Sequence, residues 1–553
     1  MPVCRRNAFF RAPLVRGALA ALLVSLSGSP ARALTLSTEA AADFEAAVAA
    51  DSLGNPTDVA VLPDGRFVVI EKGGAVKTYT PGMDDPATDM IALEAGGQNE
   101  QGLLGIVADP EFSKNQFIYV YASVVMDQKN RHQVRRYKLG ADGKLGEMKP
   151  VISMGLWGPA NHNGGGLTIY GGNLFVGVGD TGKNNKTPHN HIASCLNLAN
   201  GKVLRVSLAE ATLGEPPADN PLTNVAMVTG CDDSSANDTA PFEMKAPDKR
   251  IYSWGFRNPF RVWADPQTGK LWVGDVGEEA EEEVSIVEKG KHYGYPFVEG
   301  KTPYTQQQQP FQPAGACMGM TPASECIAPV VSYPTKAPSG SVMGGRILDG
   351  CEWPAAWKSR YIYGEHEQGK VWTVDVNATR DGVVADSRKD FADSNGVTAM
   401  RLGSDNALYI VERGAGRVTR VTAKGAPATP GSCPTADPIP GEPGGGGGGA
   451  GGSAGSGPSA GQNAGGQAVG GSPSGTGGSN SSGGNNPGTS GSSNPGAGTS
   501  SATAGAGGSS GSDSGGCGCR VAGGRGTAAF ALAGALAMAG LAFNRRRARR
   551  SRG

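Results

Sequence analysis

Residues 161–182 read Asn161-His-Asn-Gly-Gly-Gly-Leu-Thr-Ile-Tyr-Gly-Gly-Asn-Leu-Phe-Val-Gly-Val-Gly-Asp-Thr-Gly182. Two short apolar runs, Leu167 to Tyr170 and Leu174 to Val178, flank Gly171-Gly172, the pattern of a β-hairpin with a tight turn. His162 precedes this hairpin and Asp180 follows it. A hairpin returns its ends to one place, so the two residues are predicted to share a rim. A carboxylate beside an imidazole fixes its tautomer and raises its basicity. Glycines at 164–166 let the backbone bend and allow a close approach. A turn-capping histidine and a turn-starting aspartate would use the same residues without any chemistry.

Outward from this hairpin, the chain repeats one cassette from Pro56 to about Ala423. A turn leads into an apolar strand: Phe67-Val-Val-Ile, Phe117-Ile-Tyr-Val-Tyr, Leu174-Phe-Val-Gly-Val, Leu271-Trp-Val-Gly, Tyr361-Ile-Tyr-Gly and Leu408-Tyr-Ile-Val. A second strand follows each, at 75–79, 134–139, 202–206, 283–287, 370–374 and 417–421. Turn pairs such as Asp64-Gly65, Asp109-Pro110, Asp265-Pro266 and Asp405-Asn406 punctuate the series. Helical periodicity is nearly absent. Six matched antiparallel units predict an all-β, six-bladed β-propeller over 34–425, with inserted loops at about 183–250 and 298–340. A β-sandwich competes but offers no reason for six matched pairs.

The rest of the chain has another character. Gly accounts for 87 of 553 residues, many of them in a Gly/Ser-rich block that makes 426–516 a disordered linker. Residues 1–33 carry early arginines, an apolar run and Ala31-Arg32-Ala33, the order of an export signal. Beyond the linker, Cys517 and Cys519 precede an apolar run, 527–543, and a cluster of arginines, which predicts a short C-terminal membrane helix with its end in the cytoplasm. The formal net charge of zero hides an asymmetry. Removing the 13 arginines of the two ends leaves 37 basic against 50 acidic residues, about −13. An acidic body excludes nucleic acid as a partner, since phosphate binding needs a basic face. Six cysteines remain in the exported body, an even count that predicts disulfides. Sequence proximity favours Cys195–Cys231 and Cys317–Cys326, leaving Cys351–Cys433. None has zinc-ligand spacing with a histidine.

Propeller loops converge on a central depression suited to a small molecule. His162 enters the third cassette, and Arg257-Asn258-Pro259 enters the fourth. Residues 275–283 hold six carboxylates in nine positions, a density that asks for a cation or for solvent.

These motifs resemble the soluble quinoprotein glucose/sorbosone dehydrogenases, which use pyrroloquinoline quinone (PQQ). The resemblance covers roughly 50–423. It rests on Glu100-Gln-Gly-Leu-Leu-Gly with Asp109-Pro-Glu-Phe, His162-Asn-Gly-Gly-Gly-Leu, Gly179-Asp-Thr-Gly, Gly201-Lys-Val-Leu-Arg, Gly255-Phe-Arg-Asn-Pro, Tyr293-Gly-Tyr-Pro and Tyr333-Pro-Thr. It implies His162 as the general base for an aldose's anomeric hydroxyl, with Asp180 holding it. It implies Arg257, Asn258 and Thr335 beside the cofactor, Glu100 beside the sugar, and Ca2+ at the carbonyls of Gly277 and Glu278. A sugar substrate and an external electron acceptor follow from the same resemblance. The lysine and paired arginines with which glucose enzymes clamp the quinone's carboxylates have no counterpart in Tyr363-Gly-Glu-His-Glu-Gln-Gly or Asn395-Gly-Val-Thr-Ala-Met. Lys370, Arg346 and Arg401 are the candidate substitutes. The first of these stretches is similar to the branch of aldose dehydrogenases and hedgehog-interacting proteins. The Cys, apolar and Arg order of the tail resembles a myxobacterial sorting tail, which implies display at the cell surface.

Two functions remain open at this point: PQQ-dependent oxidation of aldoses to lactones, and a non-catalytic surface propeller that binds glycans or proteins. A lactone-hydrolysing propeller fits the motifs poorly.

Overall fold

The computed structural model describes residues 34–93, 99–126, 129–156, 161–182, 192–231, 243–278, 280–300, 302–303, 326–335, 340–350 and 353–425. The expected signal, linker and membrane tail, and Cys317, Cys351 and Cys433, lie outside them. No helix among the described residues is long and apolar enough to cross a membrane.

Six antiparallel sheets of four or five strands form the body. Their innermost strands are Pro56–Val61, Gly102–Ala108, Leu167–Tyr170, Pro259–Ala264, Val342–Leu348 and Val397–Leu402. Each contacts the next, and the last contacts the first, so the sheets are the blades of a closed six-bladed propeller. The six strand pairs expected from sequence are all present, as the second and third strands of the blades. Their apolar runs are continuous because neighbouring blades cover both faces of a middle strand. Leu271–Asp275 and Leu408–Glu412 are buried at every residue. The core therefore lies between blades: Trp272 of blade four stacks on Tyr361 of blade five at 4.6 Å.

Blade six closes in a way the repeat pattern does not show. Its outer strand is Phe44–Ala50, from the N-terminal end of the described chain, paired with Arg417–Ala423. Phe44 packs against Trp353, Trp357 and Phe391 of blade five, and Trp357 Nε1 donates to Asp43 at 2.8 Å. The closure covers an edge that would otherwise be open for pairing.

One side chain spans the hub. Arg261, 3 % exposed, donates to the carbonyls of Thr57 (2.6 Å), Leu104 (3.0 Å), Phe260 (2.9 Å) and Thr398 (2.8 Å), tying blades one, two, four and six together. Beside it Arg401 grips the buried Asp58 at 2.7 Å. Burial works against that carboxylate's charge, but the two guanidiniums outweigh it and hold it below its ordinary range. Thr57, Leu104, Phe260 and Thr398, whose carbonyls Arg261 gathers, line the hub cavity.

The inserted loops fall where expected. The first surrounds the strand Lys202–Ser207 and carries the hairpin of Val228–Gly230 with Glu243–Lys245. Cys195 and Cys231 are disulfide-bonded there, with Cα atoms 5.7 Å apart. The second carries the hairpin of Val298–Glu299 with Thr302–Pro303. Cys326 is also disulfide-bonded.

Candidate active site

The N-terminal ends of the innermost strands and the adjoining hairpins surround a cavity of about 270 Å³ at one mouth of the hub. His162 lines it on blade three, and Arg257, Asn258, Gly277 and Glu278 line it on blade four.

The hairpin read from sequence is present: Leu167–Tyr170 pairs with Asn173–Val178 around Gly171 and Gly172. His162 Nδ1 lies 2.7 Å from Oδ1 of Asp180, which is fully buried. Gly182 N–H donates to that same oxygen at 2.7 Å, and Asp180 N–H donates to the Arg257 carbonyl at 2.8 Å. The imidazole's other nitrogen, Nε2, lies 3.4 Å from Asn161 Nδ2, a long contact. His162 takes a left-handed conformation, φ +50°. The close approach expected at the glycines is made by the protein's own backbone. A Cβ on Gly179 would lie 1.9 Å from the His162 carbonyl, and one on Gly105 would lie 1.9 Å from the Gly165 carbonyl. Glu100 accepts the His162 N–H at 2.6 Å, so it grips the histidine's backbone from blade two.

Asn258 acts as a strut. Its Oδ1 accepts Gly164 N–H at 2.9 Å, linking blade four to the loop that carries His162. Asp275 in turn accepts the backbone N–H groups of Asn258 (2.6 Å) and Arg257 (3.0 Å). Burial, with a smaller push from Asp180, raises the Asp275 carboxyl to about 7, against the pull of those N–H groups. Arg257 Nη1 donates to the Val276 carbonyl at 3.0 Å, while its Nε is buried without a hydrogen-bond partner, 4.0 Å from Glu278. The guanidinium belongs to the blade beside His162, not to one across the hub.

Gly277 and Glu278 border the cavity, and their N–H groups donate to Glu282 (3.2 Å) and Glu299. Thr335 does not line the cavity among the described residues; its hydroxyl donates to Glu282 at 3.0 Å, one residue behind Gly277. The acidic stretch 275–283 turns inward. Asp275, Glu282 and Glu283 are buried and accept backbone N–H groups, and burial raises the carboxyls of Glu282 and Glu283. No cluster of three His, Cys, Asp or Glu able to hold a metal occurs among the described residues.

The proposed substitute cations are elsewhere. Lys370 pairs with Asp393, Arg346 lies over the Trp263 ring, and Arg401 holds Asp58. Among the described residues, Lys72 and Arg413 are the cationic side chains that line the cavity besides Arg257, and His366 stands in the same wall. A repeat in the sequence marks all three. The second strand of four blades ends in a buried carboxylate, Glu71, Asp275, Glu365 or Glu412, and the next residue, Lys72, Val276, His366 or Arg413, lines the cavity. Alternation along a strand puts the carboxylate under the loops, where Glu365 accepts Ser341 N–H (2.7 Å) and Glu412 accepts Asn395 N–H (3.2 Å), and turns its neighbour to the hub.

Fold and site define a class: a six-bladed propeller whose hub cavity holds a carboxylate-braced histidine beside a partly buried arginine. The chain belongs to the Glucose / Sorbosone dehydrogenase family, whose profile matches residues 53–230 and 226–420. It is 27% identical over 427 residues to the aldose sugar dehydrogenase of Escherichia coli, covering 76% of this chain and 99% of that one. It is 28% identical over 306 residues to quinoprotein glucose dehydrogenase B of Acinetobacter calcoaceticus, covering 50% of this chain and 58% of that one. Among solved structures, the apo form of the Escherichia coli soluble aldose sugar dehydrogenase superposes with a TM-score of 0.53 at 24% identity, over 69% of this chain and 100% of that one. The PQQ-bound aldose sugar dehydrogenase of Streptomyces coelicolor does so with a TM-score of 0.50 at 18% identity, over 69% and 98%. At these identities the superpositions show a shared fold.

Proposed function

We propose that this protein is a sugar dehydrogenase that oxidises the anomeric C–OH of aldoses to lactones with PQQ. The observation that carries the reading is the His162–Asp180 pair at 2.7 Å beside the hub cavity. An Nδ1–H donated to Asp180 leaves Nε2 as an acceptor, and a substrate hydroxyl would displace the long contact from Asn161. His162 takes the hydroxyl proton, and Asp180 stabilises the imidazolium that results. Glu100 and Asn258 hold the loop so that the ring keeps its aim.

The residues present fit PQQ. The buried Arg257 Nε without a partner faces a cavity where an anionic, oxygen-rich ligand would supply the acceptor. Arg257 and Asn258 would hold the cofactor, with Thr335 acting through Glu282. A Ca2+ ion would rest on the carbonyls of Gly277 and Glu278, since the nearby carboxylates are taken by backbone N–H groups. When bound, PQQ supplies the two-electron acceptor for the hydride that leaves C1. An external acceptor then reoxidises it. The Cys195–Cys231 disulfide supports the export that the N-terminal signal implies, and with it display at the cell surface through the tail.

The test is reconstitution of the purified protein with PQQ and calcium, followed by aldoses and a redox dye. Dye reduction with matching lactone, abolished in His162→Asn, is the expected result. A reconstituted protein that reduces no dye with any aldose leaves the glycan- or protein-binding propeller in its place.

A further inference from the structure

Lys202, from the Gly201-Lys-Val-Leu-Arg motif, has no part in the chemistry above. It opens the third strand of blade three, opposite Val178 and so close to Asp180 in the hairpin, and it is wholly buried. Its Nζ donates to the carbonyls of Ile192 (3.1 Å), Ala193 (2.9 Å) and Asn200 (2.6 Å). Three carbonyl acceptors use three N–H groups, so the side chain is held as the ammonium. Burial pushes the amine well below its ordinary range, against the pull of Asp248 and Asp180. A buried cation held by carbonyl dipoles is costly, and a methionine of similar length would fill the space without that cost. Stability alone therefore gives no reason for a lysine.

The segments that supply the carbonyls do. Asn200 Nδ2 donates to Thr181 Oγ1 at 2.9 Å, and Thr181 Oγ1 donates to the Asp180 carbonyl at 2.6 Å. The Ala193 carbonyl also accepts the Gly255 N–H at 3.1 Å, two residues before Arg257. Phe256 N–H donates to the Gly201 carbonyl at 3.2 Å, and a Cβ on Gly201 would lie 2.5 Å from the Phe256 carbonyl, so glycine lets this turn close. The Asp180 turn and the Arg257 segment thus hang on one charged group, which is not among the described residues that line the cavity.

We propose that Lys202 is a positioning residue: by gathering the carbonyls of Ile192, Ala193 and Asn200 it fixes the Asp180–Thr181 turn against the Arg257 segment and so holds Asp180 to His162. The consequence for turnover rests on the function proposed above; the consequence for the His162–Asp180 hydrogen bond does not.

The test uses the full chain and two variants, Lys202→Met and Asn200→Ala. The second removes the amide link to Thr181 and keeps the carbonyl that Lys202 uses. In the protein without cofactor, proton NMR reads the low-field signal of the hydrogen between His162 Nδ1 and Asp180, identified by its loss in His162→Asn. The expected result is a clear signal in wild type and its loss in Lys202→Met, with a thermal melt showing that the variant is folded. After reconstitution with PQQ and calcium, kcat for an aldose should fall by about tenfold to a hundredfold, the scale of a misplaced catalytic group, while KM stays within about twofold. A folded Lys202→Met that keeps the signal, or keeps wild-type kcat, overturns the proposal. So does a wild-type chain without the signal. If Lys202→Met does not fold, Asn200→Ala is read by the same two criteria. A wild-type chain that shows the signal but oxidises no aldose sinks the dehydrogenase, while the signal in the variants still decides the role of Lys202.

Discussion

His162 and Asp180 are joined by their side chains at 2.7 Å and again through the backbone, where Thr181 N–H donates to the His162 carbonyl at 3.1 Å. The ring therefore has little freedom to turn away from the cavity. Because His162 holds φ +50°, which asparagine tolerates, His162→Asn should keep the fold and its unfolding temperature within a few degrees. Turnover should fall by about 10²–10⁴, the usual contribution of a general base. Dye-linked kinetics beside a thermal melt check both halves.

Asp180→Asn tests the brace. A neutral amide can still accept the Gly182 N–H through its oxygen, but it cannot stabilise the imidazolium. Turnover should drop by at least about 10² while substrate KM changes little. A variant with wild-type turnover would remove Asp180 from the mechanism.

Asn258→Ala leaves the Gly164 N–H without its acceptor in a buried place. The expected cost is about 1–3 kcal/mol in urea unfolding, with reduced turnover because the His162 loop loses its strut. Unchanged stability and turnover together would show that the loop is held by other contacts.

Arg261→Met strips the shared donor from the buried Thr57, Leu104 and Thr398 carbonyls. Each carbonyl left unsatisfied carries a desolvation penalty, and the expected loss is about 3–5 kcal/mol, read as a lower urea midpoint. The carbonyls come from three blades, so one cooperative transition should persist. A midpoint within about 1 kcal/mol of wild type would mean that the hub does not depend on this residue.

Asp275 ties stability to pH. Its carboxyl is raised from 3.8 to about 7 in the folded chain. Between those values the folded protein keeps a proton that the unfolded chain has released. The contribution is full below about pH 4 and is lost as pH rises through 7, at a slope of at most about 1.4 kcal/mol per unit. Asp275→Asn should remove that slope, so the stability gap between wild type and variant narrows or reverses from pH 4 to 7. Parallel curves would show that Asp275 titrates normally.

Much of the architecture is legible in the residue order because local rules set it. Gly171-Gly172 between two apolar runs can only turn back on itself, and the middle strands advertise themselves by being apolar on both faces. The innermost and outermost strands are quieter. Phe44–Ala50 is rich in alanine, a helix former, and becomes a strand only because the Arg417–Ala423 edge needs a partner. The buried carboxylates Glu71, Asp275, Glu365 and Glu412 stand in plain view at the end of four of the six apolar runs, yet their meaning depends on the loops above them.

Sequence alone determined the repeat count, the hairpin and the meeting of His162 with Asp180, since these depend on neighbours within about twenty positions. Tertiary structure alone decided which cations reach the cavity. Arg346 and Arg401 are spent on Trp263 and Asp58, whereas Lys72 and Arg413, far apart in the chain, become neighbours because the ring closes blade six onto blade one. Charge carries no sign of its direction along a strand. Only the closed ring sets which side chains face the hub and which face a neighbouring blade.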